Sequence, residues 1–238
     1  VRLRGRSVND NELKALFDQM APGYDKQWER TAPINQCLYF LLESVFAALP
    51  EDARILCVGA GTGSEILHLA SRFPGWRFTA VEPARGMLGV CRRRADEAGI
   101  AERCEFHEGY LDSLPAGASY QAATSFLVSQ FILDQTARSA FFEQIAERLV
   151  PGGMLASSDL STEQDAPGYD DLLRVWQRTI TPTDVSDEGL RRMKATYAKD
   201  VAVLPPDQVE AVLRAGGFET PRPFFQAGLI RAWFARRR

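Results

Sequence analysis

The sequence predicts an α/β fold: a doubly wound, seven-stranded, mostly parallel sheet with an antiparallel last strand and helices on both faces. Three observations lead there. Short apolar runs with strand character alternate with stretches whose apolar residues recur at helical spacing, the pattern of a parallel sheet covered on both sides. One of these runs, Arg54 to Val58, passes through Gly59, Gly61 and Gly63 directly into a helical pattern. The next run, Arg77 to Val81, ends on an acid, Glu82, about 20 residues beyond the glycines.

The glycine stretch organises the chain. After it, Ile66, Leu69, Ala70 and Phe73 fall on one helical face. Glycine allows positive φ and close backbone approach, and a helix start presents unpaired N–H groups to the same space. Neighbouring parallel strands end side by side at the edge where ligands bind, so Glu82 can accept both hydroxyls of a ribose. Such a pairing is a nucleoside-cofactor signature. A dinucleotide turn reads G-x-G-x-x-G or A, which would place its third small residue at 64. Here 64 is Ser and the third glycine is Gly63.

Composition sets the bounds. The 238 residues suffice for one α/β domain with a sizeable core. Hydrophobic content of 45% and charged content of 25% are ordinary for a globular protein. A net charge of −3 argues against a large nucleic-acid footprint. No apolar run approaches the ~18 residues of a membrane span, and no signal peptide is visible. Cys37, Cys57, Cys91 and Cys104 form no C-x-x-C pair and read as reduced thiols of a cytoplasmic protein.

In chain order, residues 1–10 read as frayed. Leu13, Leu16, Phe17 and Met20 form a short amphipathic helix, broken at Ala21 to Asp25. A second helix carries Ile34, Leu38, Leu41, Leu42, Val45, Phe46 and Leu49, and Pro50 closes it. These helices precede the first strand and can fold as a lid, with Tyr24, Trp28 and Arg30 between them. Pro83 starts a helix that turns Ala84, Leu88, Cys91 and Ala95 inward. Arg92 to Arg94 read as a solvated helix face. Strands follow at Cys104 to His107 and Tyr120 to Leu127, then a helix from Arg138 to Val150 ended by Pro151-Gly152-Gly153, then a strand from Met154 to Ser158. Residues 166–200 form a two-helix insert. A helix with Val209, Val212 and Leu213 inward precedes two final strands, Phe218 to Phe225 and Leu229 to Phe234. Pro221 and Pro223 suit an edge strand.

With the pieces placed, the chain resembles the class I S-adenosylmethionine-dependent methyltransferases, a Rossmann-like family, along roughly residues 10–236. The residues that carry the likeness are Phe17 to Asp25, Val58-Gly-Ala-Gly-Thr-Gly63, Val81-Glu-Pro83 with Met87, Leu149 to Gly153, and Asp207 to Phe218. It is most similar to small-molecule methyltransferases with an N-terminal helical lid, and is related to carboxy-S-adenosylmethionine synthase. The resemblance implies one methyltransferase domain: a lid at 1–50, a cofactor-binding core at 51–160, an insert at 161–204, and a C-terminal helix and strand pair at 205–238. It implies S-adenosyl-L-methionine as cofactor, with S-adenosyl-L-homocysteine as product, held by Tyr24, Gly59, Ala60, Gly61, Gly63, Glu82, Pro83, Met87, Gly109, Tyr110, Leu111 and Phe126. Two departures stand out. The family's first motif carries an acid two residues before the first glycine, near the methionine ammonium; this chain has Cys57, which leaves the ammonium to backbone carbonyls near Gly59 and Phe126. The residue after Gly109 is often Asp, and here it is Tyr110.

The reaction so implied is in-line methyl transfer to a small molecule, in which the protein aligns donor and acceptor and excludes water. Tyr24, Gln130, Asp159, Arg192 and Tyr197 are the candidates for catalytic or substrate contacts; no general base stands out, and His68 and His107 read as structural. Trp176 and Met193 line an apolar pocket or fill the insert. No metal is expected. The expected partner is a small-molecule substrate, without nucleic acid or membrane, and a homodimer is compatible. Two alternatives stay open: a carboxy-S-adenosylmethionine synthase-like enzyme, in which Arg191 or Arg192 would hold the extra carboxylate, and a non-catalytic S-adenosylmethionine-binding module.

Overall fold

The computed structural model describes residues 10–117, 119–181 and 185–238. The frayed segment expected at 1–10 lies outside these residues, except for Asp10, which opens the first helix.

Three helices lead in: α1 (Asp10–Met20), α2 (Tyr24–Gln27) and α3 (Ala32–Phe46). The sheet then begins, with β1 (Arg54–Val58), α4 (Ser64–Arg72), β2 (Arg77–Glu82), α5 (Arg85–Glu97), β3 (Cys104–Glu108), β4 (Tyr120–Phe126), α6 (Gln135–Arg148) and β5 (Leu149–Leu160). The insert is α7 (Tyr169–Ile180) and α8 (Asp187–Asp200). The chain closes with α9 (Pro206–Ala215), β6 (Arg222–Ala227) and β7 (Ile230–Arg236). The seven strands lie in the order β3-β2-β1-β4-β5-β7-β6. Neighbours from β3 to β5 pair in parallel, and β7 runs antiparallel to both β5 and β6.

Side chains alternate across a strand, so each strand feeds two cores. Ile55 and Cys57 of β1 join Leu42, Phe46, Ile66, Leu69 and Leu88 from α3, α4 and α5. Leu56 and Val58 point the other way, to Phe142, Ile145, Val209, Val212 and Leu213 from α6 and α9. A third cluster holds the insert on the sheet edge, with Leu173, Trp176 and Leu190 around Leu160 and Leu229. Pro223 sits on the edge strand β6, where no neighbour needs its missing N–H. Among the described residues no helix is long and apolar enough to cross a membrane.

Several boundaries differ from the sequence pattern for local reasons. The break at Ala21 to Asp25 is instead a single 3₁₀ turn, Ala21–Gly23, running into α2. Helix α5 starts at Arg85 rather than Pro83, because the Glu82 side chain takes the Ala84 N–H and holds Ala84 extended at φ −80°, ψ 109°. Pro151-Gly152-Gly153 lies within β5, which already pairs Leu149 with Tyr120 across a register shift. At the end of the chain, Phe218 makes only an isolated bridge to Arg237, and the ladder of β6 begins at Arg222.

Candidate functional site

Gly59, Gly61 and Gly63 all have positive φ, at +69°, +55° and +78°. The turn hangs on β2: Gly59 and Ala60 donate their N–H groups to the Val81 carbonyl at 2.8 and 3.2 Å. A Cβ added at Gly59 would lie 2.3 Å from a Val128 methyl, and one at Gly63 would lie 2.5 Å from the Cys91 sulfur. At Gly61 the nearest neighbour is the Met87 methyl at 3.5 Å, so backbone conformation rather than crowding requires glycine there.

Glu82 closes the turn from below. One carboxylate oxygen accepts the Gly61 N–H at 3.0 Å and the other the Ala84 N–H at 2.9 Å. A carboxylate offers about four acceptor positions, so each oxygen keeps one free, the number a vicinal diol needs. Burial raises the carboxyl's pKa, and the two N–H groups oppose the rise. Gly109 donates its N–H to the Glu82 carbonyl at 3.2 Å, which brings the end of β3 alongside.

The N-terminal helices cover this edge. The Asp18 carboxylate accepts the Gly86 N–H at 2.6 Å, and Ala21 joins Ala84, Met87 and Val90 in a small apolar cluster with Phe17 and Tyr24. Thr62 in the turn donates its hydroxyl to Asp25 at 2.7 Å, and Arg94 reaches the same Asp25 at 3.1 Å. Arg94 also donates to the Thr62 carbonyl and hydroxyl and to the Ser64 hydroxyl, each at 3.0 Å. Arg92 to Arg94 are therefore not one solvated face: Arg92 lies over the Phe106 ring, Arg93 faces Glu97, and Arg94 is turned inward as a clasp. Burial, then the Glu82 charge, pushes the Tyr24 hydroxyl up to about 12, so it stays protonated at neutral pH and can donate.

A methyltransferase domain family model matches residues 55–153, from β1 into the start of β5. The chain is 28% identical over 229 residues to carboxy-S-adenosyl-L-methionine synthase of Dichelobacter nodosus, covering 95% of this chain and 90% of that protein. It is 27% identical to demethylmenaquinone methyltransferase of Clavibacter sepedonicus, covering 89% of this chain and 84% of that one. The chain is similar to class I S-adenosylmethionine-dependent methyltransferases along most of its length, with the methyltransferase-domain match at residues 55–153. Among solved structures, mitomycin 7-O-methyltransferase superposes with a TM-score of 0.62 at 20% identity; it shares the fold over 93% of this chain, which spans 60% of that protein's length.

The glycine turn, Glu82, Met87 and the free acceptor positions fit the cofactor of this methyltransferase family. Ala60 and Leu111 are buried at the same edge, Pro83 is a half-buried bend after β2, and Phe126 ends β4 with its ring 6.2 Å from that of Tyr39. Tyr110 is 45% exposed beside the half-exposed Gly109.

The other candidates are held elsewhere. Asp159 is fully buried: Arg138 lies 2.9 Å away, and Ser129 donates its hydroxyl to both carboxylate oxygens. Gln130 accepts the Leu160 N–H through its side chain at 2.7 Å. Both polar groups are spent on holding β5 and the segment after β4. Tyr197 accepts the Trp176 indole N–H at 2.8 Å inside the insert, and burial raises its hydroxyl to about 12. Met193 packs in the same cluster as Trp176, so both fill the insert. Arg191 and Arg192 are exposed on α8 and pair with Glu188. His68 pairs with Glu43 and His107 with Ser113, in keeping with structural roles.

Three features escaped the sequence pattern. Leu127 has φ +57°, a strained conformation for a branched residue, and it carries Val128 over Gly59. The Asp25–Thr62–Arg94 clasp joins three distant segments. Glu65, in the first turn of α4, is a buried carboxylate beside the glycine turn. Only Glu65 left a sequence signal, an acid two residues into a helix that otherwise turns apolar residues inward.

Proposed function

We propose that this chain binds S-adenosylmethionine at the glycine turn and transfers its methyl group to a small-molecule acceptor. When bound, the cofactor supplies the electrophilic methyl on a sulfonium. The observation that carries the proposal is the Glu82 carboxylate, oriented by two backbone N–H groups with two acceptor positions left over. Glu82 would take the ribose hydroxyls, and the turn backbone at Gly59 to Gly63 would lie against the amino-acid side. Met87 would pack on the adenosine and Tyr24 would donate from the lid. The lid, residues 1–50 in the proposed division, would exclude water, with the insert at 161–204 closing the acceptor side. Arg30 supports that pairing of lid and insert by donating to the Thr179 carbonyl of α7 at 2.9 Å. Tyr24, with its raised hydroxyl, would orient an acceptor rather than remove its proton. A cytoplasmic enzyme without a nucleic-acid partner, as monomer or homodimer, is part of the same proposal.

A second reading, synthesis of a carboxylated S-adenosylmethionine, is favoured by the similarity to the Dichelobacter protein along nearly the whole chain. Arg191 and Arg192 weigh against it, because both point to solvent and meet Glu188. Mass spectrometry of small molecules released from the purified protein separates the two. S-adenosylmethionine or S-adenosylhomocysteine is expected. A carboxylated S-adenosylmethionine would replace the methyl-transfer proposal with the second reading, and a nicotinamide dinucleotide would overturn both.

A further inference from the structure

Two facts about charge near the glycine turn do not match. The position where an acid would face the cofactor's ammonium holds Cys57, fully buried, with its thiol pushed well above the ordinary value by burial. It supplies no negative charge. Eight residues on, Glu65 does carry an acid. It sits in the first turn of α4, 8% exposed, and among the described residues its hydrogen bond comes from its own backbone N–H. A buried carboxylate with so few partners is costly, and proteins normally pair it.

Five elements bring ionisable groups to this carboxylate. Glu82 at the end of β2 repels it and Arg94 of α5 attracts it. Tyr24 of α2, Tyr39 of α3, Cys57 of β1 and Cys91 of α5 also feel its charge. Arg94 is the one cation of the set, and its Nη1 is occupied by Asp25, Thr62 and Ser64. Glu65 is thus a buried anion at the ligand edge, next to the glycines, whose nearby cation is engaged elsewhere.

We infer that Glu65 holds the ammonium of the cofactor's amino-acid group, in the role that residue 57 cannot fill. The inference rests on the cofactor reading above. It gives the two acids of the site separate tasks, Glu82 for the diol and Glu65 for the cation. Burial holds the Glu65 carboxyl at about 7, so part of the population is protonated at neutral pH. An ammonium arriving beside it favours the ionised form, and the proton leaves to solvent.

The test compares two ligands by calorimetric titration. S-adenosylhomocysteine carries the amino-acid group; 5′-methylthioadenosine keeps the nucleoside and thioether and lacks it. Glu65→Gln, isosteric and checked for folding by thermal melting, is expected to weaken S-adenosylhomocysteine about tenfold or more and 5′-methylthioadenosine less than about twofold. Equal losses for both ligands, or none for either, would overturn the role. The second result is also what a proton-accepting role in the reaction would give. If the wild-type protein bound neither ligand, the cofactor reading would fall and the inference with it. A measurement on the wild type alone covers a variant that does not fold. In buffers of different ionisation heat at pH 7, S-adenosylhomocysteine should release more protons than 5′-methylthioadenosine. Titration of Glu82 affects both ligands alike and cancels in that difference, so equal proton release would contradict the inference.

Discussion

Two buried carboxylate regions lie at the ends of the central strands, and they are built in opposite ways. At the end of β5, Asp159 has a cation, Arg138, and a hydroxyl, Ser129, while Gln130 next to it takes a backbone N–H. Arg138 in turn donates to the Ser129 hydroxyl and the Ala202 carbonyl. Internal partners occupy this network, and it ties β5, α6 and the end of the insert together. Around β1 and β2, Glu82 keeps two acceptor positions free, and among the described residues Glu65 has no donor but its own backbone. A buried charge with internal partners is part of the fold. A buried charge short of partners, beside three glycines and under a lid, is suited to a ligand.

That contrast can be broken or sharpened by substitution. The largest effect is expected from Arg138→Ala, which leaves Asp159 buried and unpaired. Urea unfolding should show a loss of about 3–5 kcal/mol, with cofactor affinity of the folded fraction little changed. A loss under about 1 kcal/mol would mean that the cluster is not structural. Next, Glu82→Ala should cost about 1.5–3 kcal/mol of S-adenosylhomocysteine binding by calorimetry, the range for hydrogen bonds to a charged group. An affinity within twofold of wild type would remove Glu82 from the ribose.

Glu65 gives a pH signature without any ligand. Its carboxyl rises from the ordinary 4.5 to about 7 in the fold, so the folded chain holds this proton more tightly than the unfolded chain. Its contribution is fully present below about 4.5, is lost as pH rises through about 7, and stays lost above. Glu65→Gln removes that loss, so the variant should gain on wild type between pH 5 and pH 8 by an amount on the order of 1 kcal/mol or more. Thermal melting at the two pH values measures it, and a gap that does not change with pH would contradict the shift. The smallest effect belongs to the clasp. Asp25 and Arg94 are partly exposed, and such pairs contribute roughly 0.2–1 kcal/mol. Asp25→Ala should leave stability within about that range and speed S-adenosylhomocysteine release by at most about fivefold, read by stopped flow. A larger acceleration would make the clasp the main lock of the lid.

The legible parts of the molecule were those written locally. The mostly parallel sheet follows from the alternating runs, and Pro223 marks an edge strand. The glycine turn and Glu82 announce themselves by spacing, because a turn that needs positive φ at three positions leaves few other residues possible. What stayed hidden depends on contacts between distant segments. Nothing in the residues around Asp159 says that Arg138, a helix away, neutralises it, so it read as a substrate contact. Arg94 sat in a run of three arginines and read as solvated until the fold brought Asp25 and Thr62 to it. Arg192 differs for a related reason: Leu190, Met193 and Tyr197 take the inward face of α8, and helical phase turns Arg192 to solvent, where it meets Glu188.

The most direct test of the central claim is a calorimetric titration of the wild-type protein with S-adenosylhomocysteine, run beside Glu82→Ala. Saturable binding at one site per chain, weakened about tenfold or more by the substitution, is the predicted result. A folded wild-type protein that gives no binding heat, or a variant that binds as tightly as wild type, would contradict the assignment of the glycine turn and Glu82 to the cofactor.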